Sequence, residues 1–129
     1  MKFTLTDQGG FQTDLSFGNL RVSGNEELGF RPYQLMVSSI AVCSGGVLKK
    51  VLEKQRLVVK DLTVDADVTR SEDAVNRIEK IHLHYTLTGD LPEVKVQKAV
   101  ELARKNCSMT QSVIGSIDII ETFTIKHPV

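Results

Sequence analysis

The sequence has no net charge: 16 Lys and Arg stand against 16 Asp and Glu, interspersed rather than blocked. Without a basic or acidic excess the surface is a poor match for nucleic acid or a strongly acidic partner. The opening residues MKFTLTDQGG lack a long apolar region and a small-residue cleavage site, so no secretory leader is expected and a cytoplasmic location is. No G-x-S-x-G elbow is present, and Gly9-Gly10 and Gly45-Gly46 match no phosphate-binding loop. Cysteine is scarce: only Cys43 and Cys107 occur, and they form no C-x-x-C pair. In a reducing compartment two such distant cysteines do not predict a permanent disulfide, which leaves buried thiols or a redox pair.

What is present centres on 31–56, RPYQLMVSSIAVCSGGVLKKVLEKQR. Between Arg31 and Lys49 it carries no charge, and Leu35, Met36, Val37, Ile40, Ala41, Val42, Val47 and Leu48 point all round a helix. A helix apolar on every side is a buried one. The run falls short of the ~20 apolar residues of a membrane span, and Gln34, Ser38, Ser39, Ser44 and the glycines dilute it, so a core helix is expected and no membrane partner. Pro32 suits the first turn, and Lys49, Lys50, Lys54 and Arg56 suit the negative C-terminal end. Gly45 and Gly46 each cost about 1 kcal/mol against alanine in a helix interior and need a reason, such as a close approach of another backbone or a substrate.

At 129 residues the chain is expected to form a single α+β domain over 1–129. Phe3, Leu5, Phe11, Thr13 and Leu15 alternate with polar residues around Gly9-Gly10, predicting a hairpin, with a further short strand at Leu20 to Val22. After the central helix, Leu62, Val64, Ala66 and Val68 alternate with Thr63, Asp65, Asp67 and Thr69, an antiparallel strand with one buried face. Ile81, Leu83, Tyr85 and Leu87 form the inner face of the next strand, with Lys80, His82, His84 and Thr86 outward and a bulge at Ile78. Asp90 and Glu93 predict a capping box for a helix that buries Val96, Ala99, Val100, Ala103 and Cys107. A break at Ser108 to Thr110, a short helix around Gln111 to Ile114 ended by Gly115, and a last strand through Ile117, Ile119, Phe123 and Ile125, interrupted by Glu121, complete the order. One sheet of five or six strands covers mainly one side of the central helix, so a two-fold homodimer with central helices back to back is expected.

Two cysteines on inward helix faces can meet although distant in sequence. One thiolate then attacks a peroxide to give a sulfenic acid, and the second thiol condenses with it. Such a site needs a positive group to lower the attacking thiol's pKa. Mid-helix, Cys43 gains little from the helix dipole, so Arg21 or Arg31 is the candidate; each also reads as a solvated surface residue. Tyr33 offers a hydroxyl to the same pocket or simply packs. His82 and His84 share a strand face but lack a third ligand, so solvated histidines are expected and no metal or other cofactor.

The segment RPYQLMVSSIAVC, with Pro32 eleven residues before Cys43, resembles the N-P-E-x-L…C stretch of OsmC/Ohr proteins, and KNCSMTQSVIG resembles their C-P-x-S motif. Tyr33 stands where the first motif has glutamate, and Ser108 where the second has proline, placing the chain nearer the OsmC-like branch. The resemblance implies an OsmC-like fold with an antiparallel sheet, a long buried central helix and a second helix, in an intertwined homodimer with sites at the subunit interface. It implies an oxidoreductase of the oxidative stress response, reducing organic or hydrogen peroxides. Cys43 is then peroxidatic, Cys107 resolving, and a dithiol, including lipoyl-type ones, the reductant. A non-catalytic member binding a small hydrophobic ligand at the dimer interface, and a partner-binding domain with inert thiols, are the alternatives.

Overall fold

The computed structural model describes residues 1–128. Its elements run β1 Thr4–Leu5, β2 Phe11–Asp14, β3 Asn19–Val22, α1 Pro32–Lys54, β4 Asp61–Arg70, β5 Ile78–Thr88, α2 Glu93–Asn106, α3 Ser108–Val113 and β6 Asp118–Lys126. The α+β order is the one the hydrophobic periods predict. The strands form two three-stranded sheets, β1-β2-β3 and β4-β5-β6, rather than one sheet of five or six. Contacts divide the chain into two units, Met1–Ser38 and Ser39–Val129.

In the first unit the predicted hairpin closes on Gly9, whose φ of 104° suits a residue without Cβ. Thr6 N–H donates to the Gly10 carbonyl at 2.7 Å, and β2 pairs antiparallel with both neighbours. Gly29 allows the chain to return against β3: a Cβ there would lie 2.8 Å from the Arg21 carbonyl, to which Phe30 N–H donates at 2.9 Å.

In the second unit β4 and β5 pair antiparallel from Asp61↔Thr88 to Thr69↔Lys80, and the register shifts at Thr69/Arg70, opposite the out-of-phase Ile78. Ile81, Leu83, Tyr85 and Leu87 are 0% exposed, whereas Leu62, Val64, Ala66 and Val68 on the edge strand are only half-buried. β6 lies on the other side of β5 and parallel to it, because the intervening α2 and α3 cross over and return the chain in the same direction. Arg77 ties this region together, its Nη1 donating to the Ser116 carbonyl at 3.0 Å.

The helices deviate from expectation at their ends. α2 starts at Glu93 with Pro92 as N-cap and no side-chain cap bond, so Asp90, two residues further out, does not form the expected capping box. Glu93 still complements the dipole from the first turn. Val96, Ala99, Val100 and Ala103 are buried as the spacing predicts. α3 begins at Ser108, earlier than the expected break allows, because Cys107 caps it by accepting from the Thr110 amide. α1 is long and apolar enough to cross a membrane by length and composition. Its packing face, however, belongs to the protein core, with Ile40, Ser44, Leu48 and Leu52 at most 1% exposed. It is not buried on every side within one chain: Met36 is 44% and Val42 73% exposed.

Candidate thiol site

Cys43 lies midway along α1 and Cys107 at the junction of α2 and α3, where it is C-cap of one helix and N-cap of the next. The fold brings these thiols into one hydrogen-bond cluster, and both are free. Cys43 is half-buried, its Sγ 3.9 Å from Ser108 Oγ; Cys107 is 0% exposed. Ser44, the residue after Cys43, projects into the core and donates to Cys107 Sγ at 3.3 Å. Its oxygen also sits 3.0 Å from Thr110 Oγ1, and the Thr110 N–H donates to Cys107 Sγ at 3.4 Å.

Burial alone pushes the Cys107 thiol up, because an apolar surrounding disfavours the thiolate. Hydrogen bonds from the Ser44 hydroxyl, the Thr110 hydroxyl and amide, and the Cys43 thiol outweigh it and hold the pKa below the ordinary 9.0. The strongest groups lowering it are neutral donors, so the anion is stabilised by hydrogen bonding rather than by an adjacent cation.

The cluster continues into the sheet. Tyr85 on β5 meets Ser44 on one side and donates to Glu121 Oε2 on β6 at 2.9 Å. The Glu121 side chain is 5% exposed and is paired with Arg104 Nη1 of α2 at 3.3 Å. Arg104 also donates to the Ile119 carbonyl at 2.6 Å. Burial, then the charge and hydrogen bond of Glu121, push the Tyr85 phenol far above its usual range, so it stays protonated. A buried carboxylate joined to one guanidinium and one phenol is a satisfied charge rather than a stranded one.

Arg21, Arg31 and Tyr33 lie in the first unit. Arg21 is exposed on β3, opposite Gln12, and the Arg31 guanidinium stands 4.9 Å from the Tyr33 ring centroid, within cation–π range. His82 and His84 face outward and spend their ring nitrogens on threonines. His82 Nε2 pairs with Thr122 Oγ1 at 2.7 Å, His84 Nδ1 with the same oxygen at 2.6 Å, and His84 Nε2 with Thr124 Oγ1 at 2.9 Å. Among the described residues no group of three or more His, Cys, Asp and Glu is arranged to hold a metal ion.

Sequence reasoning missed Ser44, Thr110, Tyr85, Glu121 and Arg104. Two of them left a signal: Ser44 is a small polar residue in an uncharged helix, and Glu121 breaks the inward phase of an apolar strand. Gly45 and Gly46 now have separate accounts. A Cβ on Gly45 would stand 2.9 Å from Val64 Cγ2, whereas Gly46 has nothing within 4 Å and borders a groove of about 490 Å³.

The sequence model of the OsmC-like protein family matches residues 24–122. No curated protein matches significantly. Among solved structures, a hypothetical protein from Aquifex aeolicus superposes with a TM-score of 0.89 at 26% identity, covering 99% of this chain and 96% of that one. An OsmC-like protein from Mycoplasma pneumoniae gives 0.87 at 15% identity over 98% and 95%. The organic hydroperoxide resistance protein OhrB of Bacillus subtilis gives 0.68 at 20% identity over 95% of each chain. With the family pattern running through both cysteine segments and the fold shared over nearly its whole length, the chain belongs to the OsmC-like protein family.

Proposed function

We propose that the protein is a thiol-dependent peroxidase that reduces organic or hydrogen peroxides, with Cys43 as the attacking and Cys107 as the resolving thiol. The observation that carries this reading is that two cysteines 64 positions apart share one cluster, the buried one held toward its thiolate. Family membership and likeness to proteins named for organic hydroperoxide resistance support it. Cys43, the half-buried thiol, is the one a peroxide reaches first. Its thiolate attacks the outer oxygen, the O–O bond breaks, and the alkoxide leaves as alcohol with a proton, giving the Cys43 sulfenic acid. The Cys107 thiolate then attacks that sulfur, an S–S bond forms, and the hydroxide takes a proton and leaves as water. A dithiol reductant, a class that includes lipoyl-type dithiols, then reduces the Cys43–Cys107 disulfide to two thiols and is itself oxidised to a disulfide. A cytoplasmic setting keeps both thiols reduced between turnovers.

The same proposal includes a homodimer. Val42, 73% exposed on α1 with Gly46 one turn further on, leaves apolar surface of that helix open to solvent within the single chain, the kind of surface a second copy buries. One observation favours a second reading: the groove lined by Ala41, Val42, Val59, Leu62 and Val64, with Lys49, Lys60 and Asp61 also on its wall, is mainly apolar and of ligand size, fitting a small, largely hydrophobic ligand in a non-catalytic protein.

The test is to mix reduced protein with cumene hydroperoxide and measure intact mass. The peroxidase reading expects loss of two hydrogens and a Cys43–Cys107 disulfide, with Cys107→Ser stopping at a trappable sulfenic acid on Cys43. An unchanged dithiol mass under excess peroxide removes it, and an apolar ligand retained in native mass spectrometry then supports the second reading.

A further inference from the structure

A second groove, of about 390 Å³, lies between the C-terminal half of α1 and α2. Its floor is apolar, made by the half-buried Val47 and Val51 with Leu102, which is 46% exposed. Its charge is all of one sign: Lys50 and Lys54 line it, and among the described residues no Asp or Glu does. The two lysines are one turn apart, where like charges repel, and among the described residues neither forms an ion pair. Lys49, by contrast, is paired with Glu53 at 3.7 Å, and the groove beside Val42 and Val64 carries Asp61 along with its lysines, so neither offers the same unbalanced charge. Both walls of the second groove lead to Cys43. On α1, Cys43, Val47, Lys50, Val51 and Lys54 follow at i, i+4, i+7, i+8 and i+11, a single helix face. On the other wall Leu102 and Asn106 lead to Ser108, whose Oγ is 3.9 Å from Cys43 Sγ. At 1.5 Å of rise per residue the lysines stand about 10 and 16 Å along the helix axis from Cys43.

We propose that this groove binds an amphiphilic carboxylate, a molecule with an unbranched apolar chain and a carboxylate at one end. The chain lies on Val47, Val51 and Leu102 and takes apolar surface of both partners out of water. The carboxylate lies between Lys50 and Lys54, relieves their repulsion, and accepts charge-assisted hydrogen bonds from the two ammonium groups. Gln55, on the same rim, adds amide N–H donors. An inorganic anion would use the lysines and leave the apolar floor in water; an uncharged chain would cover the floor and leave the lysines unbalanced. The free end of the chain points along α1 toward Cys43, so an occupied groove covers an approach to that thiol. Binding alone is involved, and the site stands whether or not Cys43 reduces peroxides.

The test titrates the reduced full-length protein with octanoate and, separately, with octanol and with inorganic phosphate, following backbone amides by NMR. Octanoate is expected to shift the amides of Val47, Val51 and Leu102 and to bind about tenfold more tightly than octanol, while phosphate gives no saturable shift there. Lys50→Gln combined with Lys54→Gln changes two exposed side chains. It is expected to weaken octanoate about tenfold, the scale of one partly exposed charge-assisted hydrogen bond, and to leave octanol unchanged. Alkylation of Cys43 by iodoacetamide, read by peptide mass, is expected to slow when octanoate saturates the groove, and not at the same concentration in the double variant. Equal affinity for octanoate and octanol, a double variant that binds octanoate as tightly, or octanoate shifts confined to the groove beside Val42 and Val64 overturns the proposal. So does the absence of saturable octanoate binding, the result expected if a second copy already fills the groove. No peroxide enters, so a failure here leaves the disulfide experiment intact, and a failure of that experiment leaves this one standing.

Discussion

A Cβ built on Gly45 would stand 2.9 Å from Val64 Cγ2, so α1 and β4 touch at a point where only glycine fits. Val64 is β-branched and stiff at χ1, and gives way poorly. Gly45→Ala gains about 1 kcal/mol of helix propensity. Overpacking costs about 1–3 kcal/mol, so the net is a destabilisation of up to about 2 kcal/mol. Urea unfolding measures it, and combining the change with Val64→Ala should recover part of the loss. An unchanged or higher midpoint for Gly45→Ala alone would show that β4 yields freely.

Tyr85 predicts a loss of stability in alkali. Its folded pKa is raised above the ordinary 10.0 by burial and by Glu121. Its contribution is therefore complete below that value and lost as pH rises above it, where the unfolded chain ionises and the folded one does not. The slope is about 1.4 kcal/mol per pH unit for one such group. Cys107 has the opposite sign in a lower window: its depressed pKa adds stability as pH rises toward 9.0, complete above it. Unfolding midpoints measured across this range should fall above 10 in the natural protein and fall less in Tyr85→Phe. Parallel curves would refute the assignment.

The β4–β5 turn predicts an acid effect. Asp73 Oδ1 accepts from Ser71 Oγ at 2.7 Å, Asn76 N–H at 3.0 Å and Val75 N–H at 3.1 Å. The Ser71 hydroxyl first, then these amides, lower the carboxyl below its usual 3.8. A depressed carboxyl contributes stability above its unfolded pKa that disappears as pH falls through the folded one. Asp73→Ala should lower the melting temperature at neutral pH and speed hydrogen exchange at Val75 and Asn76. The difference from the natural protein should close below pH 3.8. A gap that persists in acid would assign the effect to the backbone instead.

Much of the fold was legible because it is written in periods. The period of two placed Ile81, Leu83, Tyr85 and Leu87 inward, and the spacing of three and four placed Val96, Ala99, Val100 and Ala103 on one face of α2. Direction was not legible: nothing in 117–125 distinguishes a parallel β6 from an antiparallel one, since pairing is decided by the crossover through α2 and α3. At the site, the cysteine segments showed themselves through family resemblance. The surrounding polar groups did not, because Ser44, Tyr85, Arg104, Thr110 and Glu121 come from five different elements. A residue's type is visible in a sequence; which other side chain ends 3 Å away is a property of packing.

The exposed stripe of α1 leads to the last prediction. Val37, Ile40, Ala41, Leu48 and Leu52 occupy the buried side of that helix, while Val42, 73% exposed, lies on the other. A homodimer built across this stripe is two-fold, so each substitution enters the interface twice. Val42→Asp places two carboxylates in the interface, and taking each charge out of water costs several kcal/mol even with Lys49 and Lys60 on the adjoining groove. Within the single chain the same change touches solvent, so the fold is retained. Light scattering at micromolar concentration should report a dimer for the natural protein and a monomer for Val42→Asp, with equal far-ultraviolet circular dichroism. A natural protein that is monomeric, or a Val42→Asp protein that dimerises as tightly, would locate the second copy elsewhere or dispense with it.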